Sequence, residues 1–135
     1  MAIKLYVDDI RNPDFFVGPG WHWARTVTEA IRILHTQEVS EVSIDHDICH
    51  PGTACPETFE PVARFIVTWI WDMDDETYGE RYVRARGNSN YEGGLPVTIH
   101  TANPTGAENM RQILETFGGH RVTVSVKMAT SLEDA

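Results

Sequence analysis

Residues 41–47 read EVSIDHD, and within this run strand-forming side chains give way to charged ones. The first four residues, ending at Ile44, suit a β-strand that enters a hydrophobic core. Asp45-His46-Asp47 follow at once, and three such polar residues need water, hydrogen-bond partners or a ligand. The stretch therefore predicts a buried strand that ends either in a solvated turn or in a functional site.

Three other predicted strands also stop at reactive polar side chains. They are Ile3 to Val7 before Asp8-Asp9, Pro96 to Ile99 before His100-Thr101, and Arg121 to Val126 before Lys127. A fifth short strand is predicted over residues 21–24. Four of the five predicted strands thus end in groups that can bind ions or transfer protons.

Helical spacing of apolar residues fills the chain between these strands. One helix begins at Thr26 or Thr28, a longer one begins near Thr58, and a third follows Pro104 and ends at Gly118-Gly119. Strands that alternate with helices predict a parallel α/β sheet with helices on both faces. The carboxyl ends of parallel strands share one edge, where such sheets bind ligands. We therefore expect the four polar groups to meet there.

Length, composition and charge narrow the functional classes. The chain has 135 residues, 41% of them hydrophobic, which suits one folded domain. No apolar run is long enough to span a membrane and no export signal is evident, so a soluble cytoplasmic protein without a membrane partner is expected. The formal net charge of −9 argues against a nonspecific nucleic-acid coat.

Regions outside the predicted sheet carry no convincing motif. Cys49, His50 and Cys55 offer a partial zinc ligand set that lacks a CxxC pair and a fourth ligand, so we expect reduced thiols in a loop. Residues 72–94 are predicted to be a long, polar and irregular insertion, either mobile or a lid. Residues 129–135 are expected to form a frayed acidic tail.

The acidic residues at the predicted edge indicate a cation site. Three or four carboxylates held together repel one another unless a cation lies among them. Oxygen ligands from Asp8, Asp9 and Asp45 suit Mg²⁺ first and Mn²⁺ next. Asp47 would either complete the metal shell or hold His46 in one tautomer.

Other polar residues at the same edge suit a phosphate group. Thr101 can donate a hydrogen bond to a phosphate oxygen, and Lys127 can neutralise developing charge. Arg11, just past the acidic pair, and Asn103, at the start of the last helix, are candidate substrate contacts, although turn chemistry also explains polar residues next to the acidic pair. His100 reads almost equally well as a satisfied core histidine and as a catalytic one.

The residues at four strand ends resemble, in the same order, those of the receiver domain of two-component signalling. That domain has an acidic pair, a phospho-accepting Asp, a Thr followed by Ala, and a Lys. In this chain they are Asp8-Asp9, Asp45, Thr101-Ala102 and Lys127. The resemblance covers most of the chain. A signal at several strand ends is more specific than any single motif among them.

Several departures from that pattern point to a divergent branch. A Pro/Gly-rich loop stands in place of the first helix, Met128 rather than Pro follows Lys127, and histidines occur at His46 and His100. With the stretches LYVDDIRNP, SIDHD and IHTANPTGAENM, the chain resembles the cyclic-phosphate-processing receiver domain family. The resemblance implies a single domain over residues 1–135. The implied fold is a receiver/flavodoxin-like three-layer sandwich with a five-stranded parallel sheet and a loop instead of the first helix.

The same resemblance implies a metal-dependent phosphoesterase, a hydrolase that acts on cyclic phosphates. Its partner would be an RNA terminus with a 2′,3′-cyclic phosphate, as in RNA repair, or a small cyclic nucleotide. His46 or His100 would act as general acid or base, since imidazole titrates near neutral pH. The alternatives are a receiver switch phosphorylated on Asp45, and a non-catalytic protein that binds a phosphorylated nucleotide or docks a partner. The sequence does not predict the oligomeric state.

Overall fold

A five-stranded parallel sheet lies at the centre of the computed structural model, which describes residues 2–48, 57–83 and 94–128. The strands are β1 (Ile3–Val7), β2 (Trp21–Ala24), β3 (Val39–Ile44), β4 (Asp47–Ile48), β5 (Glu57–Thr58), β6 (Leu95–Thr101) and β7 (Val122–Met128). The helices are α1 (Pro13–Phe16), α2 (Val27–Thr36), α3 (Glu60–Asp72), α4 (Asp75–Tyr78) and α5 (Pro104–Gly118). None of these described helices combines the length and apolar character that a membrane span requires.

The strand order is β2-β1-β3-β6-β7, and every neighbouring pair is parallel. Val7 of β1, Ile44 of β3 and Ile99 of β6 lie side by side in the register. The polar residues that follow these strands are therefore brought to one edge, as the sequence predicts. The predicted receiver/flavodoxin-like α/β fold is confirmed.

Helices α2, α3 and α5 cover one face of the sheet. The chain crosses the sheet in one direction from β2 to β3, β6 and β7, and right-handed crossovers place the three connecting helices on the same side. α3 packs against both α2 and α5 and buries Ile66 and Ile70. Leu5, Ile44 and Ile99 are fully buried in the core, which therefore lies between this helical layer and the sheet.

The second face of the sheet has a different covering. Its register places these residues on that side: Lys4, Tyr6, Trp21, Trp23, Glu41, Ser43, Thr98, His100, Ser125 and Lys127. The β1-to-β2 connection runs against the direction of the other crossovers, so it lies over this face. It contains α1, a single helical turn with Asn12 as its N-cap and Pro13 at its first position. The loop predicted in place of the first helix therefore contains one turn of helix.

Several element boundaries differ from the sequence predictions. β6 continues through His100 and Thr101, and β7 continues through Lys127 to Met128. These polar residues therefore belong to the strands and do not follow them. The short antiparallel pair of β4 and β5 was not predicted, and Cys49, His50 and Cys55, which fall between its strands, lie outside the described residues.

The prediction of an irregular insertion over residues 72–94 is wrong for the first half of that range. Asp74 caps α4 by accepting a hydrogen bond from the Thr77 amide, and a π-helical turn, Gly79–Val83, follows. Tyr82 is buried in that turn, and its hydroxyl donates to the carbonyl of Val39 over 2.7 Å. The acidic charges of this stretch indicate a solvated surface, so the composition does not reveal the buried tyrosine. The rest of the insertion and the tail from residue 129 lie outside the described residues.

Arg121 joins the end of α3 to the start of β7. Its side chain is only 5% exposed, and its Nη1 donates to the carbonyls of Ile70 and Met73 over 3.1 and 2.7 Å. Its guanidinium lies between the rings of Trp71 and Tyr78, 4.5 Å from each centroid. A planar cation with several donors suits this slot, whereas an ammonium group does not.

Replacing Arg121 with Lys is expected to lower the free energy of unfolding by about 2 kcal/mol, because buried carbonyls lose donors and two rings lose their planar partner. Urea titration at pH 7 measures the change. Arg111→Lys is the matched control, since Arg111 is exposed and pairs with Glu108 on the surface of α5. We expect it to cost less than about 0.5 kcal/mol. Equal losses in the two variants would contradict the proposed role of Arg121.

Candidate functional site

Three buried carboxylates meet at the carboxyl edge of the sheet. Asp8 and Asp9 follow β1, Asp45 follows β3, and one oxygen of each lies within 4.8 Å of the others. A pocket of about 120 Å³ opens beside them. Its lining residues are Asp9, Ile10, Arg11, Asp45, Asp47, Thr101 and Ala102. The sequence prediction that these acids converge is therefore confirmed by their geometry.

Asp8 accepts hydrogen bonds on both of its carboxylate oxygens. Its Oδ1 accepts from the amides of Ile10 and Arg11 over 2.9 and 3.0 Å, and its Oδ2 accepts from the Tyr6 hydroxyl over 3.3 Å. His100 Nε2 lies 3.0 Å from the same Oδ2. Burial alone would raise the pKa of Asp8, but the hydrogen bonds from His100 and the two amides outweigh it and lower that pKa. Asp8 is therefore ionised and held in place.

His100 lies beneath Asp8 and does not line the pocket. The residue is fully buried, its Nδ1 lies 2.7 Å from Ser43 Oγ, and its ring stacks on Tyr6 with centroids 4.7 Å apart. Phe16 packs against its ring at 5.1 Å. Burial lowers the pKa of His100, so the imidazole is neutral and donates from Nε2 to Asp8. Of the two predicted roles, the geometry matches the satisfied core histidine.

Arg11 supplies positive charge inside the acidic cluster. Its Nη1 lies 3.3 Å from Asp45 Oδ2 and 3.5 Å from Asp8 Oδ2, and the residue is only 9% exposed. The sequence predicts a substrate contact for Arg11, whereas its side chain here bridges two of the acids. A metal ion at these carboxylates would therefore have to share them with the guanidinium or displace it.

Asp45 sits at the junction of the cluster and the pocket. Its Oδ1 accepts from the His46 amide over 2.8 Å, and Thr101 contributes a side-chain hydrogen bond. Burial, followed by the negative charge of Asp8, raises the pKa of Asp45 to about 7, against the opposing effect of Arg11. Without an added cation, the Asp45 carboxyl therefore changes its charge near neutral pH.

His46 is held between two carboxylates. Its Nδ1 lies 2.7 Å from Asp47 Oδ1, and its Nε2 lies 2.7 Å from Glu60 Oε2. Burial alone would lower the pKa of His46, but the hydrogen bonds to Glu60 and Asp47 outweigh it and raise that pKa. A Cβ on Gly106 of α5 would lie 2.4 Å from His46 Nδ1, so the imidazole also needs a glycine at that helix position.

Glu60 is the site residue that the sequence analysis missed. It opens α3, and helix starts commonly carry acidic residues. Nothing in the sequence links Glu60 to His46, because the two are separated by β4, β5 and a segment outside the described residues. The antiparallel pairing of β4 and β5, together with the hydrogen bond from the Phe59 amide to the His46 carbonyl, brings the start of α3 back to the sheet edge.

Asp47 lies between His46 and the pocket, and Asn103 hydrogen-bonds to it. Asp47 lines the pocket but is not among the three clustered acids, so the alternative in which it orients His46 fits the geometry better than a place in the metal shell. Asn103 Nδ2 lies 3.3 Å from each Asp47 oxygen, and its own Oδ1 accepts from the Gly106 amide at the start of α5. Asn103 thus caps a helix and positions Asp47.

Lys127 lies apart from the acids. Its Nζ is 4.7 Å from the ring centroid of Phe16, the residue is exposed, and it makes no ion pair within the described part of the chain. The structure therefore brings together Asp8, Asp9, Asp45, Arg11 and Thr101, with Asp47, His46 and Asn103 beside them. It places His100 beneath this group and Lys127 over the second face.

The raised pKa of Asp45 has a measurable consequence in metal-free protein. Because the folded pKa, about 7, exceeds the ordinary value of 3.8, protonated Asp45 stabilises the fold. That contribution is complete below about pH 4 and is lost as the pH rises to 7. We expect the stability of the wild type relative to Asp45→Asn to fall across this window in EDTA, with no such trend for Asp72→Asn. A ¹³C signal of the Asp45 carboxyl that titrates near pH 4 would contradict this.

Comparison with known proteins assigns the chain to a family. The family model of the cyclic-phosphate processing receiver domain matches residues 3–116, a range that contains the acids, Arg11, His46, His100 and Thr101 but not Lys127. Searches of curated proteins and of solved structures found no match. The family match spans most of the chain and includes the whole acidic cluster. The chain belongs to the cyclic-phosphate-processing receiver domain family.

Proposed function

We propose that this receiver-like domain is a metal-dependent phosphoesterase that hydrolyses cyclic phosphates, either 2′,3′-cyclic phosphate ends of RNA or small cyclic nucleotides. The observation that carries the proposal is the convergence of Asp8, Asp9 and Asp45 within 4.8 Å beside an open pocket. Membership of a family associated with cyclic-phosphate processing supports the substrate class.

The acidic cluster fits a hard divalent cation, with Mg²⁺ first and Mn²⁺ next. All donors are carboxylate oxygens, and their mutual repulsion raises the pKa of Asp45, after the larger effect of burial. Asp9 and Asp45 line the pocket and Asp8 does not, so we assign direct ligation to Asp9 and Asp45 and a supporting role to Asp8. The bound ion would supply an activated water and neutralise phosphate charge.

Hydrolysis of the ring forms one P–O bond from water and breaks one ester P–O bond, so one proton leaves the water and one reaches the ester oxygen. Thr101 and Arg11 line the pocket and would orient the phosphate and stabilise its charge. The proton for the ester oxygen would come from His46 Nδ1 and pass through the Asp47 carboxylate, 2.7 Å away, and solvent would take the proton released by the attacking water. Glu60 and Asn103 would hold that pair in place. His100 would act through its hydrogen bond to Asp8. Lys127 would stabilise phosphate charge only if its Nζ moved away from the Phe16 ring.

A second candidate function is a phospho-accepting switch at Asp45. The contacts of the two histidines favour it, because both ring nitrogens of His46 and both of His100 already bind protein groups. A phospho-acceptor needs Asp45, a metal ion and Thr101, and does not need free imidazole nitrogens. Labelling with acetyl phosphate that disappears in Asp45→Ala would favour this reading.

Turnover is tested with 2′,3′-cyclic-phosphate oligonucleotides and cyclic mononucleotides, with and without Mg²⁺ or Mn²⁺. We expect ring opening only with metal, and a loss of at least about 100-fold in Asp9→Asn and Asp45→Asn, because each removes a proposed ligand. The same variants should lose the metal-induced rise in melting temperature. Asp72→Asn, an exposed acid at the end of α3, should behave as wild type. Tight nucleotide retention without turnover under any metal would favour a non-catalytic binder.

Arg11 provides a separate test of where the cation binds. If the ion replaces the guanidinium at Asp8 and Asp45, Arg11→Gln should bind Mn²⁺ roughly tenfold more tightly, a change of about 1.4 kcal/mol. Its metal-free form should be less stable, and its turnover should fall because the phosphate loses a counter-charge. Calorimetric titration gives the affinity, and Arg32→Gln, an exposed change on α2, is the control. An unchanged or weaker affinity would mean that Arg11 and the ion do not compete.

A further inference from the structure

Trp23 and Arg25 form a cation–π pair beside the acidic cluster that the proposed chemistry does not use. The Arg25 Cζ lies 4.7 Å from the centroid of the Trp23 ring. Trp23 Nε1 donates to the carbonyl of Asp8 over 2.7 Å, and Arg25 donates to the carbonyl of Asp9 from Nε and Nη2 over 3.2 and 2.8 Å. Both side chains are therefore attached to the backbone of the acidic pair.

Arg25 is an exposed residue, yet its guanidinium is held in place. A long surface side chain normally keeps its rotamer freedom, and ordering it costs entropy. Here two hydrogen bonds and a ring contact hold the plane, and within the described residues no carboxylate lies within 4 Å of it. In a protein with a net charge of −9, this is a pre-organised planar cation that forms no ion pair with the described residues. The guanidinium contacts Trp23, and because Arg25 is an exposed residue, a second planar group can approach it.

A second cation–aromatic pair continues along the same edge strand. Trp21 lies two residues before Trp23 in β2, and both belong to the second face of the sheet. Lys4 Nζ lies 5.6 Å from the Trp21 ring centroid. β2 is an edge strand, and the helices α2, α3 and α5 lie on the opposite side of the sheet. Aromatic rings and cations therefore alternate along this edge of the sheet, in the direction away from the acidic pair.

We propose that the Arg25–Trp23 pair is a nucleobase subsite, and that the ligand of the acidic pocket is the terminal nucleotide of a single-stranded RNA. This inference rests on the proposed function, to which it adds the base. Nucleobases stack on guanidinium planes and aromatic rings, and phosphates pair with nearby cations. The terminal base would lie on Arg25 and the adjoining base near Trp21 and Lys4. Local cations on an acidic protein suit the recognition of an RNA end and not the coating of a strand.

Binding of a matched ligand pair tests the subsite without any turnover. Adenosine 2′-monophosphate carries a base and glycerol 2-phosphate does not, and neither contains a cyclic phosphate. In calorimetric titrations at fixed Mg²⁺, we expect the wild type to bind the nucleotide at least about tenfold more tightly, within the range for one base–aromatic stack. Arg25→Ala should remove most of that difference while changing the affinity for glycerol 2-phosphate much less. Arg25→Lys should not restore it, because an ammonium has no plane to stack.

Arg32→Ala, which removes an exposed arginine from α2 on the other side of the sheet, should leave both affinities unchanged. Equal affinities for the two ligands would overturn the subsite, as would full rescue by Arg25→Lys or equal weakening of both ligands in Arg25→Ala. A dimer in sedimentation that Arg25→Ala dissociates would assign the surface to a second copy of the chain. Absence of hydrolysis in the cyclic-phosphate assay would leave the binding contrast intact. The two proposals therefore fail separately.

Discussion

The burial of one charge, on the Asp8 carboxylate, sets the arrangement of the whole carboxyl edge. A buried carboxylate is costly unless donors surround it, and the donors here come from different parts of the chain. Tyr6 belongs to β1, the Arg11 amide to the turn after it, and His100 to β6, where Ser43 of β3 holds its ring. Meeting these contacts aligns the three central strands and forces the chain to turn immediately after β1. The acidic cluster and its pocket follow from that alignment.

Much of this architecture is readable from the sequence because it depends on local patterns. Alternating strands and helices predict a parallel sheet, and parallel strands bring Asp8-Asp9, Asp45 and Thr101 to one edge whatever the details of packing. The N-cap of α2 at Thr26 is likewise a local signal. These features need only the order of elements along the chain, which residue types and their spacing predict well.

The contacts made by individual side chains are less predictable, because they depend on tertiary packing. Because His100 is polar, the sequence predicts that the strand ends before it. β6 instead continues through His100, because Ser43 and Asp8 hydrogen-bond to its two ring nitrogens. The pairing of His46 with Glu60 needs β4 and β5 to fold back. The position of Lys127 over Phe16 depends on a one-turn helix. Each of these contacts depends on which partner a long or buried side chain reaches in the folded protein. The spacing of residues along the sequence does not predict that partner.

The bond between Asp8 and His100 also has a temporal consequence, because 92 positions separate its two ends. At ordinary rates of translation, about 5–20 residues per second, Asp8 leaves the ribosome roughly 5 to 18 s before its imidazole partner. During that interval β1 can pair with β2 and β3, but its acidic end lacks the donor from β6. The nascent chain thus completes the hydrogen bonding of this buried charge only after β6 has been synthesised. A ribosome-stalled fragment that ends before β6 would carry an open, hydrated acidic edge.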